Sequence, residues 1–506
     1  VQRATAARTE AARYHSIVRG AGAVRLDRAG RIGETPSDPT CPRRTHPVTF
    51  QPEIAAIRFG TGLGPTHRPP TSPEALLRPL AGPDDMAALH PIPRSGHIEA
   101  EVHAIRTLVR QKRDEPDREE ELDRAMRARR DALRDLHAGM AAATFARAMD
   151  TADPFRERLV QFWQDHFTVL GMGGLGDYAV APYIESAIRP HLQGRFADML
   201  RAVIQHPVML LYLDQNRSVG PNSVKARRGN QMNGMNENLA RELLELHTLG
   251  VGAGYDQGDV RQLAELLAGL GGNLENGFRF FVDYGEPGPE TVVGRSYGRR
   301  DPKLEDIHAV LEDLSVHPET ARHMARKLAV HFVSDVPDPA LVDHMAARWA
   351  DTGGELMTVY EALLEHPSAQ EGPLQKAKLP FGLMTSAFRA LGLDGARLTA
   401  LDAPRVRRLL FRPLAAMGQP WQRPLGPDGW PEAAERWITP QGLAARITWA
   451  MDLTRKLEIE LPDPRDFLTH ALGTIASEET IFAAHAAETV EDGVALVICS
   501  PDFQRR

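Results

Sequence analysis

"MNENLARELLELHTLG", residues 235–250, is the stretch on which the fold assignment turns. Rotating by about 100° per residue from Glu237 places Leu239, Ala240, Leu243 and Leu246 in one sector, with His247 inside it. Glu237, Arg241 and Glu245 fall on the opposite side as a ladder spaced by four, and Glu242 lies on the border. Asn236 can cap the start, and Gly250 can end the run in a left-handed conformation. The spacing therefore predicts a capped amphipathic helix. Its polar residues admit two readings, a catalytic cluster or a well-paired outer face with one buried histidine.

Working outward, the same helical period dominates the chain. Residues 154–170, "PFRERLVQFWQDHFTVL", open on a proline suited to a first turn. Within them Asp165 and His166 are adjacent on a helix, so they do not share a face and cannot easily chelate one ion. Residues 98–150 interleave acids and bases at spacings of three and four, which suits a solvent-facing helix, and Pro116 separates two helices there. Asp256 and Asp259 have capping-box spacing at the next helix start. His206-Pro207, His317-Pro318, His366-Pro367 and Ser500-Pro501 read as recurrent local helix starts. The segment 274–294 is the best strand or hairpin candidate. Residues 216–235 form a polar loop whose Arg217, Lys225, Arg227 and Arg228 have no acid beside them, a weak anion-binding signal. The fold class is therefore mainly α, a multi-helical globular bundle with a small strand excursion near 274–294.

Composition agrees with this reading: hydrophobic residues are 42%, charged 25% and aromatic only 6%. The net charge of −7 argues against nucleic acid and acidic membranes as partners. Cys41 and Cys499 are too few for a disulfide framework or a cysteine-built zinc site. Residues 1–47 are Arg-rich and lack apolar periodicity, and read as a disordered tail or an over-extended start, with Val48 a reasonable alternative. The absence of an apolar signal segment points to the cytoplasm, with export left open by that start, and no run is long enough to span a membrane. Residues 48–506 are expected to form one large helical domain, or two lobes of about 48–270 and 300–506 joined by 274–300. None of the common hydrolase, nucleotide or metalloprotease motifs occurs.

Several blocks together resemble the bacterial domain-of-unknown-function family 1800. They are "NENLARELLELHTLGV" with Tyr255 and Asp259-Val260, "FWQDHFTV", "HPETARHMARKLAVHFVSDVPDP", "KAKLPFGLMTSAFRALG", "MGQPWQRPLGPDGWP" and "SPDFQRR", in order from about residue 54 to the end. The resemblance implies a mostly helical bacterial protein. It also admits a protein partner, since relatives are associated with another exported family. Gln164 and Asp165 stand where many relatives have His-Asn, so only His166 of that polar set matches.

Two functions follow from the retained polar set. In the first, an enzyme uses His166 or His247 as acid or base, with Glu237 or Glu242 as its partner and Arg241 holding an anionic substrate. Asn236, Asn238, Asp259 and the loop tryptophans Trp421 and Trp430 would contact substrate. A divalent metal on the carboxylates and histidine is a variant, and the sequence identifies no cofactor. In the second, the same cluster is a buried hydrogen-bond network in a non-catalytic scaffold or partner protein, with the Trp421/Trp430 loop as contact surface or lid.

Overall fold

Helices in this protein begin where a side chain can accept the first free backbone N–H groups. Through Nδ1, His206, His317 and His366 accept from the N–H of Val208 at 3.2 Å, Glu319 at 3.2 Å and Ser368 at 3.3 Å. Ser500 accepts from Phe503 in the same way. Each of these caps is followed by a proline, which has no N–H to leave unpaired at the first helical position. The recurrent His-Pro and Ser-Pro pairs are thus local helix starts, as the sequence indicates.

The structure, a computed structural model, describes residues 50–171, 173–229, 234–457 and 459–506, with backbone only over 454–457. The N-terminal tail with Cys41, and residues 230–233 of the polar loop, lie outside the described residues. The chain is mainly α. Helices α1 (Pro52–Arg58), α2 (Ser95–Asp114), α3 (Glu119–Asp150) and α4 (Pro154–His166) come first, with Pro116 in a 3₁₀ turn between α2 and α3. They are followed by α5 (Phe196–Ile204), α6 (Asn238–Glu242) and α7 (Gln257–Leu267). After the strands come α8 (Leu304–Ser315), α9 (Pro318–Phe332), α10 (Pro339–Thr352), α11 (Leu356–Glu365) and α12 (Pro380–Ala390). The chain closes with α13 (Pro440–Leu457), α14 (Pro464–Leu472), α15 (Glu478–Ala486) and α16 (Val490–Cys499). No helix of the described residues is long and apolar enough to cross a membrane.

The strand excursion is two antiparallel hairpins that bracket the expected segment. β1 (Leu270–Asn273) pairs with β2 (Gly277–Phe280), and β3 (Glu290–Val292) with β4 (Arg295–Tyr297). In the first turn Asn273 Oδ1 accepts the N–H of Glu275 and Asn276. The second turn places Val293 at φ +48, a conformation that a β-branched residue rarely adopts. Asp259 holds it there. One carboxylate oxygen accepts the Val293 N–H at 2.7 Å, while the other closes the capping box with Asp256 at the start of α7.

Two large apolar clusters carry the packing. The first includes Phe155, Leu159 and Trp163 of α4, Phe196, Leu243, Leu328, Trp349 and Tyr360. The second joins Ala138–Met149 of α3 to α12 and to the closing helices. Helix α3 belongs to both because its halves differ. The charged first half contacts solvent and pairs Arg129 with Glu101 of α2, whereas the alanine-rich second half is mostly buried, with its one arginine, Arg147, paired to Glu185. Along the chain the first cluster runs to Ala369 and the second takes up the residues from Phe381 onward, with the second half of α3 crossing over.

Buried arginines fasten the ends of these helices. Arg58 donates to the carbonyls of Ala369, Glu371, Gly372 and Pro373, and Arg156 to those of Pro79, Leu80 and Gly82. Arg389 donates to the carbonyls of Met149, in the last turn of α3, and of Thr151, just after it. Carbonyls at a helix C-terminus have no partner within the helix, and a guanidinium satisfies several at once.

Candidate functional site

Along α4, Arg158, Gln161 and Asp165 are spaced by three and four and share one face. That face lines a cleft of about 1160 Å³, counted out to its mouth, between the two apolar clusters. Lys378, Phe381 and Thr385 form the opposing wall, and Trp421, Trp430 and Glu432 of the Pro/Trp-rich loop cover it. The loop is seated by a hydrogen bond from the Trp430 N–H to Asp165 Oδ1 at 2.8 Å. Gly429, at φ +80, lets the loop approach so closely that a Cβ would lie 2.6 Å from the Asp165 carbonyl oxygen.

Glu432 is the hub of a buried ionic network in this cleft. It accepts from His331 Nδ1 at 2.5 Å, from Lys376 Nζ at 3.0 Å and from Arg506 at 3.2 Å. Lys376 also reaches Asp335 at 2.6 Å. On its far side, His331 Nε2 faces Arg158 at 3.0 Å and Arg506 at 3.4 Å. Guanidinium groups only donate, so Nε2 must be the acceptor and Nδ1 must carry the proton given to Glu432. Burial lowers the pKa of His331, in keeping with that neutral tautomer. Burial would raise the Glu432 carboxyl, but His331 and Lys376 outweigh it and pull it to about 2. The chain Glu432–His331–Arg158 thereby fixes a guanidinium in the cleft wall.

Lys378 is buried like Lys376 but differs from it in its partners. Its side chain is buried, its Nζ lies 3.9 Å above the Phe503 ring, and no acceptor for it occurs among the described residues. Its backbone is held on both sides, the N–H by the Gln504 carbonyl and the C=O by Arg446. Burial, reinforced by Arg158 and Arg446, lowers its pKa to about 7. Asp165 is pushed the other way: burial raises its carboxyl, and Glu432 adds to the rise. Lys327 behind it is lowered by burial. The cleft thus presents an amine biased toward its neutral form and a carboxyl biased toward its acid form.

The sequence-predicted residues fall into three places. Trp421 and Trp430 line the cleft. His166 and His247 lie behind it in the first apolar cluster, with His166 Nε2 3.3 Å from the His247 carbonyl oxygen and both Nδ1 atoms without a partner among the described residues. Burial takes the pKa of His166 well below 6.5 and that of His247 to about 3, so both are neutral at ordinary pH. Asp165 and His166 do point to different surroundings, as their adjacency predicts.

The asparagine-glutamate helix does not line the cleft. Arg241 bridges Glu237 and Glu245 at 3.3 Å each and also reaches Gln257, with side chains between 30% and 38% exposed for the three ladder residues. Asn236 accepts the Asn238 N–H and donates to the Leu213 carbonyl, which starts the helix. Glu242 stands apart: burial, with Glu245 and Asp428 nearby, raises its carboxyl to about 7. The helix itself departs from a regular period. A π-turn at Leu243–His247 carries Leu244 into the core and leaves Leu246 half-buried, before Gly250 ends it at φ +95. In the polar loop before it, Arg228 pairs with Asp283 and Lys225 stacks over Tyr284, so two of its cations have protein partners. No group of histidine, cysteine and carboxylate side chains suited to a metal occurs among the described residues.

Arg158, His331, Lys378, Glu432 and Arg506 are functional candidates that helical periodicity does not single out. A signal for them was nevertheless present. The blocks "FWQDHFTV", "HPETARHMARKLAVHFVSDVPDP", "KAKLPFGLMTSAFRALG", "MGQPWQRPLGPDGWP" and "SPDFQRR" are scattered over the sequence, yet each contributes to the wall of this one cleft. No curated protein and no solved structure matches the chain. Residues 58–505, nearly its whole length, match the family described as "Protein of unknown function (DUF1800)", and the chain belongs to that family.

Proposed function

We propose that the protein is an enzyme that binds a small organic anion in the cleft and performs acid–base chemistry on it. The observation that carries this reading is the pair of cationic side chains, Arg158 and Lys378, buried in the wall of one open cavity. The Lys378 Nζ has no hydrogen-bond acceptor among the described residues, and Arg158, which donates to the Gly60 carbonyl and to His331, meets no carboxylate. Buried cationic groups without a counter-charge are costly, and an anionic ligand would relieve that cost. Lys378 would serve as the base and Asp165 as the acid, since each is held near the protonation state that role requires. His331 and Glu432 act as positioning residues that keep Arg158 in place. For the asparagine-glutamate helix the reading is structural: its ladder and cap support the fold beside the cleft.

Trp421 and Trp430 supply the test. Titration of the protein with phosphate and with simple mono- and dicarboxylates should quench tryptophan fluorescence saturably. Lys378→Met should weaken that binding by about tenfold or more, the ~1.4 kcal/mol of one lost charge contact. Equal binding by both proteins, or no binding by either, would remove the basis for this assignment.

A further inference from the structure

We propose that Lys378 is a nucleophile that forms an imine with an aldehyde or ketone group on the bound anion, an inference that rests on the anion-binding reading above. The contrast between two lysines on one segment carries it. Ala377 pairs with Arg505 in an isolated antiparallel bridge, so Lys376 and Lys378 leave the same side of an extended backbone. Lys376 is spent on Asp335 and Glu432, whose carboxylates hold it as an ammonium. Lys378 meets no carboxylate. It lies in the cleft wall between Arg158 and Arg446, with an aromatic ring beneath it. Burial and the two neighbouring guanidiniums oppose a third positive charge more than the Phe503 ring face favours it, and the amine lone pair is what that opposition makes available.

The same surroundings select the substrate. Arg158 and Arg506 sit beside the amine's cavity and would hold a carboxylate, so a 2-oxo acid or an aldehyde acid fits both features. In the step itself, the Nζ lone pair adds to the carbonyl carbon while a proton passes from that nitrogen to the carbonyl oxygen, giving a carbinolamine. A second proton, from the Asp165 carboxyl in the same cleft, goes to the hydroxyl, which leaves as water while the C=N bond forms. The carbonyl oxygen departs in that water and nothing is oxidised or reduced. The protonated imine then withdraws electrons from the neighbouring carbon, which is the purpose of such an intermediate. The lowered pKa of Lys378 supports this: at pH 7 its free-amine fraction exceeds that of an ordinary lysine by on the order of a thousandfold.

The full chain, incubated with pyruvate or glyoxylate and sodium cyanoborohydride, should acquire one reduced adduct, and peptide mapping should place it on Lys378. Its rate should exceed that of the exposed Lys303 by roughly tenfold or more at pH 7, the lower nucleophilicity of a weaker base offsetting part of the gain. Lys378→Arg should abolish the adduct, with a circular dichroism spectrum and thermal transition like those of the parent showing that the variant is folded. Labelling of Lys303 and Lys378 at equal rates, or anion binding without any adduct at Lys378, would overturn the imine and leave the anion site standing. Loss of anion binding in the unmodified protein would overturn both.

Discussion

Replacing Glu432 by glutamine tests whether one carboxylate organises the cleft. Glutamine keeps the shape but offers a single neutral acceptor where His331, Lys376 and Arg506 now find a charge. A carboxyl held at about 2 rather than 4.5 contributes about 3 kcal/mol of stability at neutral pH. Loss of one partner from a buried ion pair costs a similar ~3–5 kcal/mol. For a domain of this length that is about 3 °C in Tm, because each degree corresponds to more unfolding entropy in a larger chain. The sign follows from the direction of the shift. The native carboxyl binds its proton less readily than the unfolded one, so the contribution is complete above about pH 4.5 and is lost as pH falls toward 2. At pH 3 the gap between the two proteins should shrink to less than half of its value at pH 7. Urea titrations of both proteins at pH 7 and near pH 3 measure this directly. A Glu432→Gln protein as stable as the parent at pH 7, or a gap at pH 3 as wide as at pH 7, would refute the reasoning.

Other substitutions probe the remaining parts. Lys378→Met should stabilise the protein by on the order of 4 kcal/mol at pH 7 in denaturant titration. The unfolded chain binds more protons than the native one between about pH 7 and 10.5, so native stability rises and the gap closes as pH increases through that window. Gly429→Ala puts a methyl 2.6 Å from the Asp165 carbonyl oxygen at φ +80. It should cost about 1–3 kcal/mol, lowering Tm and shifting the Trp430 emission as the loop lifts. Arg241→Ala removes only a half-exposed ladder, so its stability should change by about 0.5 kcal/mol and anion binding should not change. Loss of anion binding in that variant would return the asparagine-glutamate helix to the site.

What could be read from the amino-acid order alone was local. The Asp256/Asp259 capping box, the His-Pro starts, the break at Pro116 and the burial of His247 depend on residues within one or two turns of each other. The opening helix was legible as a capped amphipathic helix, except where the π-turn exchanges the places of Leu244 and Leu246. That turn answers to packing, not to propensity. A strand excursion near 274–294 was legible, but its division into two hairpins was not, nor was Val293 in a left-handed conformation, since Asp259 holds it from 34 residues away. The sequence marked Trp421, Trp430 and the blocks that supply the cleft wall, but their convergence and charge states belong to tertiary structure. Arg158 and His331 are 173 positions apart and His331 and Glu432 are 101 apart. Nothing near Lys376 and Lys378 in the chain says that one will be paired and the other left bare. A side chain's helical face follows from its neighbours in sequence, whereas its charge state follows from burial and from partners that only the folded chain brings within reach.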